Sequence, residues 1–149
     1  MTTIAFDGTT LAADCCSWSG GARRKVRKVY KLKSVNGLIF LVAFAGDGSW
    51  AMAVLAWMRG ERDRPDPLAF MEAKDLSSQC ALVIDEKRRV WQLGNSLTYS
   101  RMHESFYAYG GGQDFAWGAL EAGATAAQAV RIAIKRSDYA GLGVNTVRF

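Results

Sequence analysis

Residues 38–45 read Leu-Ile-Phe-Leu-Val-Ala-Phe-Ala, eight apolar residues in succession. No other feature restricts the folding of this chain as tightly. A run this short, closed by Gly46-Asp47-Gly48-Ser49, fits a β-strand buried on both faces. The segment behind it makes a similar demand. Residues 50–59 have the length of a short helix, with Ser49 as the expected N-cap and Gly60 as the stop. That helix is apolar nearly all round, so one side suits the chain's own sheet and the other needs a second layer or a second subunit. Trp50 and Trp57, seven positions apart, are the expected subunit-packing residues. The uncharged apolar stretch of residues 50–58 covers nine residues, against the roughly 20 of a membrane span, so no membrane association is expected.

Turn signals divide the remainder. Residues 2–6 and 9–14 read as strands joined by an Asp7-Gly8 hairpin. Residues 15–24 read as a Cys/Ser/Gly loop, and residues 25–33 as a loosely alternating strand before the Asn36-Gly37 turn. Residues 67–74 have the form of a short helix with proline in its first turn. Residues 81–84 and 89–93 suit a hairpin, and residues 97–100 and 106–109 two more strands. Residues 114–122 suit a helix stopped by Gly123, Thr125 caps another running to about Arg136, and residues 143–149 return to strand. Segregated runs of strands and helices indicate an α+β layered fold. At 149 residues the expectation is a single domain, residues 1–149.

Charge is concentrated. The formal net charge is +5, yet residues 22–33 hold seven Lys and Arg without an acid, so the rest of the chain sums to −2. Only Tyr30 interleaves that run as an aromatic, too little for single-strand recognition, and no nucleic-acid partner is expected. With two prolines and 22% charged residues the chain is neither collagen-like nor disordered. Cys15, Cys16 and Cys80 form no disulfide framework, and His103 is the only histidine. No metal and no cofactor is therefore expected. Cys15 and Cys16 are read as packing or lining a cleft beside Asp14, and His103 as a surface residue. The first residues lack a basic stretch and a long apolar core, which points to a cytoplasmic location.

Four features suggest chemistry. Thr2 becomes the N-terminus if Met1 is removed. The hairpin returns Asp14 toward it, in a register that the turn leaves open between a two- and a three-residue loop. Lys28 shares strand parity with Val26, Tyr30 and Leu32, so it is a cation among apolar neighbours that needs a partner, and Asp14 is the candidate. The basic run holds two Lys-Val pairs, Lys25-Val26 and Lys28-Val29; Lys28 is preferred for its parity and its nearness to Gly46. Gly46, closing the apolar strand, offers a backbone N–H for an oxyanion.

Taken in order, Thr2-Thr3-Ile4-Ala5, Asp7-Gly8, Leu11-Ala12-Ala13-Asp14, a Lys-Val pair and Phe44-Ala45-Gly46 resemble the N-terminal half of a proteasome β-type subunit, above all the bacterial HslV type. Ala108-Tyr109-Gly110-Gly111-Gly112-Gln113-Asp114 resembles the glycine-rich opening of the third helix of that family, and Ser137-Asp138 before Gly141-Leu142-Gly143 the loop that follows its last helices. The resemblance spans most of the chain. It implies the four-layer αββα fold of N-terminal-nucleophile hydrolases, homo-oligomeric rings stacked around a chamber, an ATP-dependent unfoldase as partner, and peptide or unfolded protein as substrate.

The resemblance also implies roles. Thr2 Oγ attacks the peptide carbonyl, with the freed α-amine, of reference pKa about 8, as general base. Lys28 lowers the proton affinity of that amine and hydroxyl, Asp14 holds Lys28, Gly46 N–H receives the oxyanion and Asp138 orients the N-terminus. Thr3 and Gly111 are supporting positions. Three departures stand out. Gly111 occupies the place of a helper serine, two Lys-Val pairs stand where the family has one, and the second family helix is cut to residues 67–74; in addition, Met1 precedes Thr2. If Met1 stays, the alternative implied is a proteasome-like oligomer without peptidase activity that serves as scaffold or binding module.

Overall fold

The computed structural model describes residues 2–70, 79–138 and 140–149. Its elements are β1 (Thr3–Phe6), β2 (Thr10–Asp14), β3 (Cys16–Ser19), β4 (Ala22–Lys25), β5 (Val29–Lys33), β6 (Ile39–Ala45), α1 (Gly48–Met58), β7 (Cys80–Ile84), β8 (Val90–Gly94), β9 (Tyr99–Met102), β10 (Tyr107–Gly110), α2 (Gln113–Glu121), α3 (Ala126–Arg136) and β11 (Val144–Arg148).

The apolar run becomes β6, inside a five-stranded antiparallel sheet of order β5-β6-β7-β8-β9. Leu41, Ala43 and Ala45 face a four-stranded sheet of order β10-β1-β2-β11, meeting Ile4, Phe6 and Leu11 in a core between the sheets. Val42 and Phe44 face the other way, onto Trp50, Val54 and Leu55 of α1. Ala5 and Ala12, on the far side of the four-stranded sheet, pack against Ala116, Leu120, Ala129 and Val130 of α2 and α3. The layers therefore run helix, sheet, sheet, helix, the αββα architecture expected. β6 is buried on both faces because each face meets its own layer.

Local readings needed correction in several places. Asp47, not Ser49, caps α1, its Oδ2 accepting the Trp50 N–H at 3.0 Å. Trp50 is completely buried, its ring centroid 6.2 Å from that of Phe44. It belongs to the intramolecular core and offers nothing to a subunit, while Trp57 is half-buried. Residues 15–24 are no loop. β3 and β4 pair as an antiparallel ribbon, turned by Gly20 and Gly21 at φ of 56° and 77°, a conformation that favours glycine at both positions. β9 begins at Tyr99 because Leu97, at φ of 59°, is spent on the turn after β8. Of the short helix expected at residues 67–74, Pro67–Phe70 forms a 3-10 turn, and the remainder lies outside the described residues.

The first hairpin settles the open register differently from either expectation. Ile4 pairs with Ala13 and Phe6 with Leu11, which by continuation sets Asp14 opposite Thr3. The cause is Asp7, which sits at a corner and not in the middle of the turn. Its Oδ1 accepts the Thr9 and Thr10 N–H groups, and its Oδ2 accepts the N–H of Ala126 at the start of α3. One carboxylate thus fixes the turn and caps a helix on the outer layer.

Ionisable groups in this core set an alkaline limit. Burial pushes the Cys80 thiol from 9.0 up to about 12, and it raises Tyr107 and Tyr109 as well. As pH climbs through the window from 9.0 to about 12, the unfolded chain gives up the thiol proton first. The native state then binds more protons, and its stability falls with rising pH. Urea midpoints should decline across that window, and Cys80→Ala should flatten part of the decline. A profile level across it in both proteins would contradict this.

Candidate active site

Thr2 leads into β1, Asp14 closes β2, Lys28 precedes β5 and Gly46 follows β6. The structure brings the first three into contact. Lys28 Nζ donates to Thr2 Oγ1 at 3.0 Å, to the Asp14 carboxylate at 3.1 and 3.3 Å, and to the Cys16 carbonyl at 2.5 Å. Lys28 is 8% exposed and Asp14 fully buried. A buried ammonium is tolerable only with its three N–H groups satisfied and its charge matched, and here both conditions hold.

Asp14 is equally committed. Its Oδ1 accepts the Thr3 N–H at 2.9 Å, and its Oδ2 the Cys16 N–H at 3.1 Å and the Gly141 N–H at 3.2 Å. Lys25, the other lysine of the basic run, is exposed on β4. The parity used to prefer Lys28 does not operate as expected. The strand starts at Val29, and one residue before it the two-residue alternation lapses. Tyr30 and Leu32 turn to the α1 core while the Lys28 ammonium meets Asp14. The Lys28 carbonyl is tied to β6 by the Phe44 N–H at 2.9 Å.

The peptide unit between Thr2 and Thr3 is gripped at both polar atoms. Asp14 takes the Thr3 N–H, and the Thr2 carbonyl accepts the Gly111 N–H at 2.8 Å. This grip needs glycine at position 110, where φ is +104° and an added Cβ would overlap the Thr2 carbonyl oxygen. A Cβ at Gly112 would likewise run into Thr3 Oγ1. Thr3 contributes its backbone alone, for its hydroxyl is buried and unpartnered. Thr3→Val, which keeps the shape and deletes the orphan hydroxyl, should leave stability unchanged or raise it by up to about 1 kcal/mol. A fall in Tm would show that the hydroxyl has a partner.

Gly46 lines the same cavity as Thr2, Lys28 and Gly111, a space of about 1020 Å³. Asp138 is not brought to the cluster. It is exposed behind α3 and, among the described residues, makes no hydrogen bond to Thr2, Asp14 or Lys28. The loop after it reaches the site through backbone instead, Gly141 N–H to Asp14 and Cys15 N–H to the carbonyls of Gly141 and Gly143, both at 3.0 Å. Gly141 and the Cys16 carbonyl were missed by sequence reasoning, and no residue-type signal marks them. For Gly110 and Gly112 the glycine run itself was the signal. Cys16 lines the cavity, and His103 is exposed. Among the described residues no group of three His, Cys, Asp or Glu side chains could hold a metal ion, and no helix is long and apolar enough to cross a membrane.

This arrangement can activate a hydroxyl. The ammonium donates to a lone pair of Thr2 Oγ1, which leaves the hydroxyl proton free for a base and favours the charged form of the oxygen.

No protein-family description and no curated protein matches the chain. Solved structures do. BPH from Thiobacillus denitrificans is 22% identical with a TM-score of 0.71, covering 99% of this chain and 96% of its own. Anbu from Hyphomicrobium sp. strain MC1 is 12% identical with a TM-score of 0.72, over 100% of this chain and 82% of its own. Eukaryotic HslV from Trypanosoma brucei is 14% identical with a TM-score of 0.64, over 99% and 98%. BPH has also been solved in complex with epoxomicin.

Proposed function

From a chain with the four-layer fold of the proteasome-like N-terminal-nucleophile hydrolases, we propose a threonine endopeptidase whose nucleophile is Thr2 once Met1 is removed. The observation that carries the reading is the 3.0 Å hydrogen bond from Lys28 Nζ to Thr2 Oγ1, within a buried ion pair. Thr2 Oγ passes its proton to the freed α-amine, through a water, and bonds the scissile carbonyl carbon. The carbonyl oxygen takes up negative charge facing the Gly46 N–H. The protonated amine then gives its proton to the departing peptide nitrogen, and water hydrolyses the resulting ester by the same route. Lys28 stabilises charge on Oγ throughout, Asp14 keeps Lys28 in place, and Gly111 and Thr3 hold the peptide unit behind the nucleophile. Asp138 has no assigned step here.

The same reading makes the protein a cytoplasmic homo-oligomer of stacked rings, fed with unfolded protein by an ATP-dependent unfoldase. The α1 surface supports assembly, for Ala53, Ala56 and Trp57 of this largely apolar helix are only half-buried.

Intact-mass measurement separates protein that begins at Thr2 from protein that retains Met1. Peptide hydrolysis should track the first fraction alone and be slowed by epoxomicin. Equal activity in both fractions would exclude the α-amine as base. No hydrolysis by protein with a verified Thr2 amine would leave the inactive oligomer as the reading.

A further inference from the structure

We propose that the cavity beside Thr2 is built to receive an acidic side chain of the peptide, on a wall formed by Arg27 and Tyr30 with Arg59 beside the Tyr30 ring outside the lining; this rests on the peptidase reading of the same site. The segment from Cys15 to Gly46 supplies most of the cavity lining and contains no Asp or Glu. Two charged side chains line the cavity, Lys28 and Arg27. Asp14 matches the first. Arg27 has no counterpart: the ion pairs among the described residues are Lys28–Asp14 and Arg89–Asp85. Asp47, the next acid along the chain, spends its carboxylate on the α1 cap.

Arg27 is also held in place. Its Nε donates to the Val29 carbonyl at 2.9 Å, and its guanidinium lies 5.4 Å from the Tyr30 ring centroid. The Tyr30 hydroxyl returns a hydrogen bond to the Arg27 carbonyl at 3.0 Å. Arg59, at the C-cap of α1, brings a second guanidinium to within 5.6 Å of the same ring. Two cations therefore stand within 6 Å of one aromatic ring, and an anion arriving beside Arg27 gains from both. With Nε committed, the Nη groups of Arg27 remain to grip a carboxylate.

Farther out, Arg23, Arg24 and Lys25 on β4 pair across the ribbon with Trp18, Ser17 and Cys16, which line the cavity. Their field draws anionic peptides toward the mouth. The remaining wall, with Phe44, Ala51 and Met52, is apolar and suits the methylenes of a glutamate.

The test uses fluorogenic peptides that differ only in carrying Glu, Gln or Arg on the acyl side of the scissile bond. Glu should exceed Gln about tenfold in kcat/KM, as a charge-assisted hydrogen bond is worth roughly that factor, with Arg poorest. The Glu-to-Gln ratio should fall toward one in Arg27→Gln, and fully in Arg27→Gln/Arg59→Gln. It should persist in Lys33→Gln, which removes an equal charge from a residue outside the cavity lining. A ratio is insensitive to overall loss of active protein. A second arm measures binding of the same peptides to Thr2→Ala protein by fluorescence anisotropy. Tighter binding of the Glu peptide, lost in the arginine variants, upholds the acidic pocket even where no peptide is cleaved and the peptidase reading falls. Equal treatment of Glu and Gln in both arms, or a preference that survives the double substitution, overturns it.

Discussion

Lys28→Met should abolish peptide hydrolysis and destabilise the fold by about 3–5 kcal/mol, the cost of leaving a buried charge without its partner. Asp14 is fully enclosed, and among the described residues no other cation is paired with it. The two losses have separate causes. Stability falls because the carboxylate is stranded, whereas hydrolysis falls because Thr2 Oγ1 loses its donor at 3.0 Å. Lys28→Met/Asp14→Asn separates them. The asparagine removes the stranded charge and still offers an oxygen to the Thr3, Cys16 or Gly141 N–H groups. Stability should recover by about 1–2 kcal/mol, the desolvation cost of an unmet polar group, while activity stays absent. Urea unfolding and peptide kinetics on the three proteins check this. Recovery of hydrolysis in the double variant would refute the role given to Lys28.

Gly110→Ala should be comparably damaging to activity through a purely steric route. At φ of +104° an L side chain is strained, and its Cβ would occupy the space of the Thr2 carbonyl oxygen. The start of β1 must shift, and a displacement of about 1 Å at a reacting group costs on the order of a hundredfold in rate. Gly118→Ala is the matched control. Gly118 lies in the interior of α2 with nothing within 4 Å of an added Cβ, and alanine there should raise stability by about 0.5–1 kcal/mol through helix propensity. If both substitutions had the same effect on kcat/KM, the packing of Gly110 against Thr2 would have no catalytic meaning.

The layers were legible wherever burial imposed a period. β6 announced itself by an apolar run with no polar break, and α3 by the Thr125 cap, which the structure completes with Gln128 as a capping box. The β3–β4 ribbon gave no such pattern because most of its residues are exposed, so no hydrophobic alternation was required of it. Its Gly-Gly turn was the one available sign. Within the site, a side chain that bears charge or a hydroxyl could be nominated from its type, and Thr2, Asp14 and Lys28 lie together. Asp138 was nominated by resemblance and lies exposed. Backbone donors and acceptors such as Gly141 N–H and Cys16 C=O are present in every residue, and only the path of the chain selects them.

The Asp14 carboxylate binds parts of the chain that are made at very different times. Thr3 and Lys28 lie 11 and 14 residues away, but Gly141 is 127 residues downstream. During synthesis at about 5–20 residues per second, the first partners wait several seconds for the last. Through that interval Thr2 emerges among unfolded chains without the complete ring of contacts that positions it. On the proposed peptidase reading, the architecture couples the onset of reactivity to the arrival of the C-terminal loop, and a nascent or partly unfolded chain lacks the finished site with which to cut its neighbours.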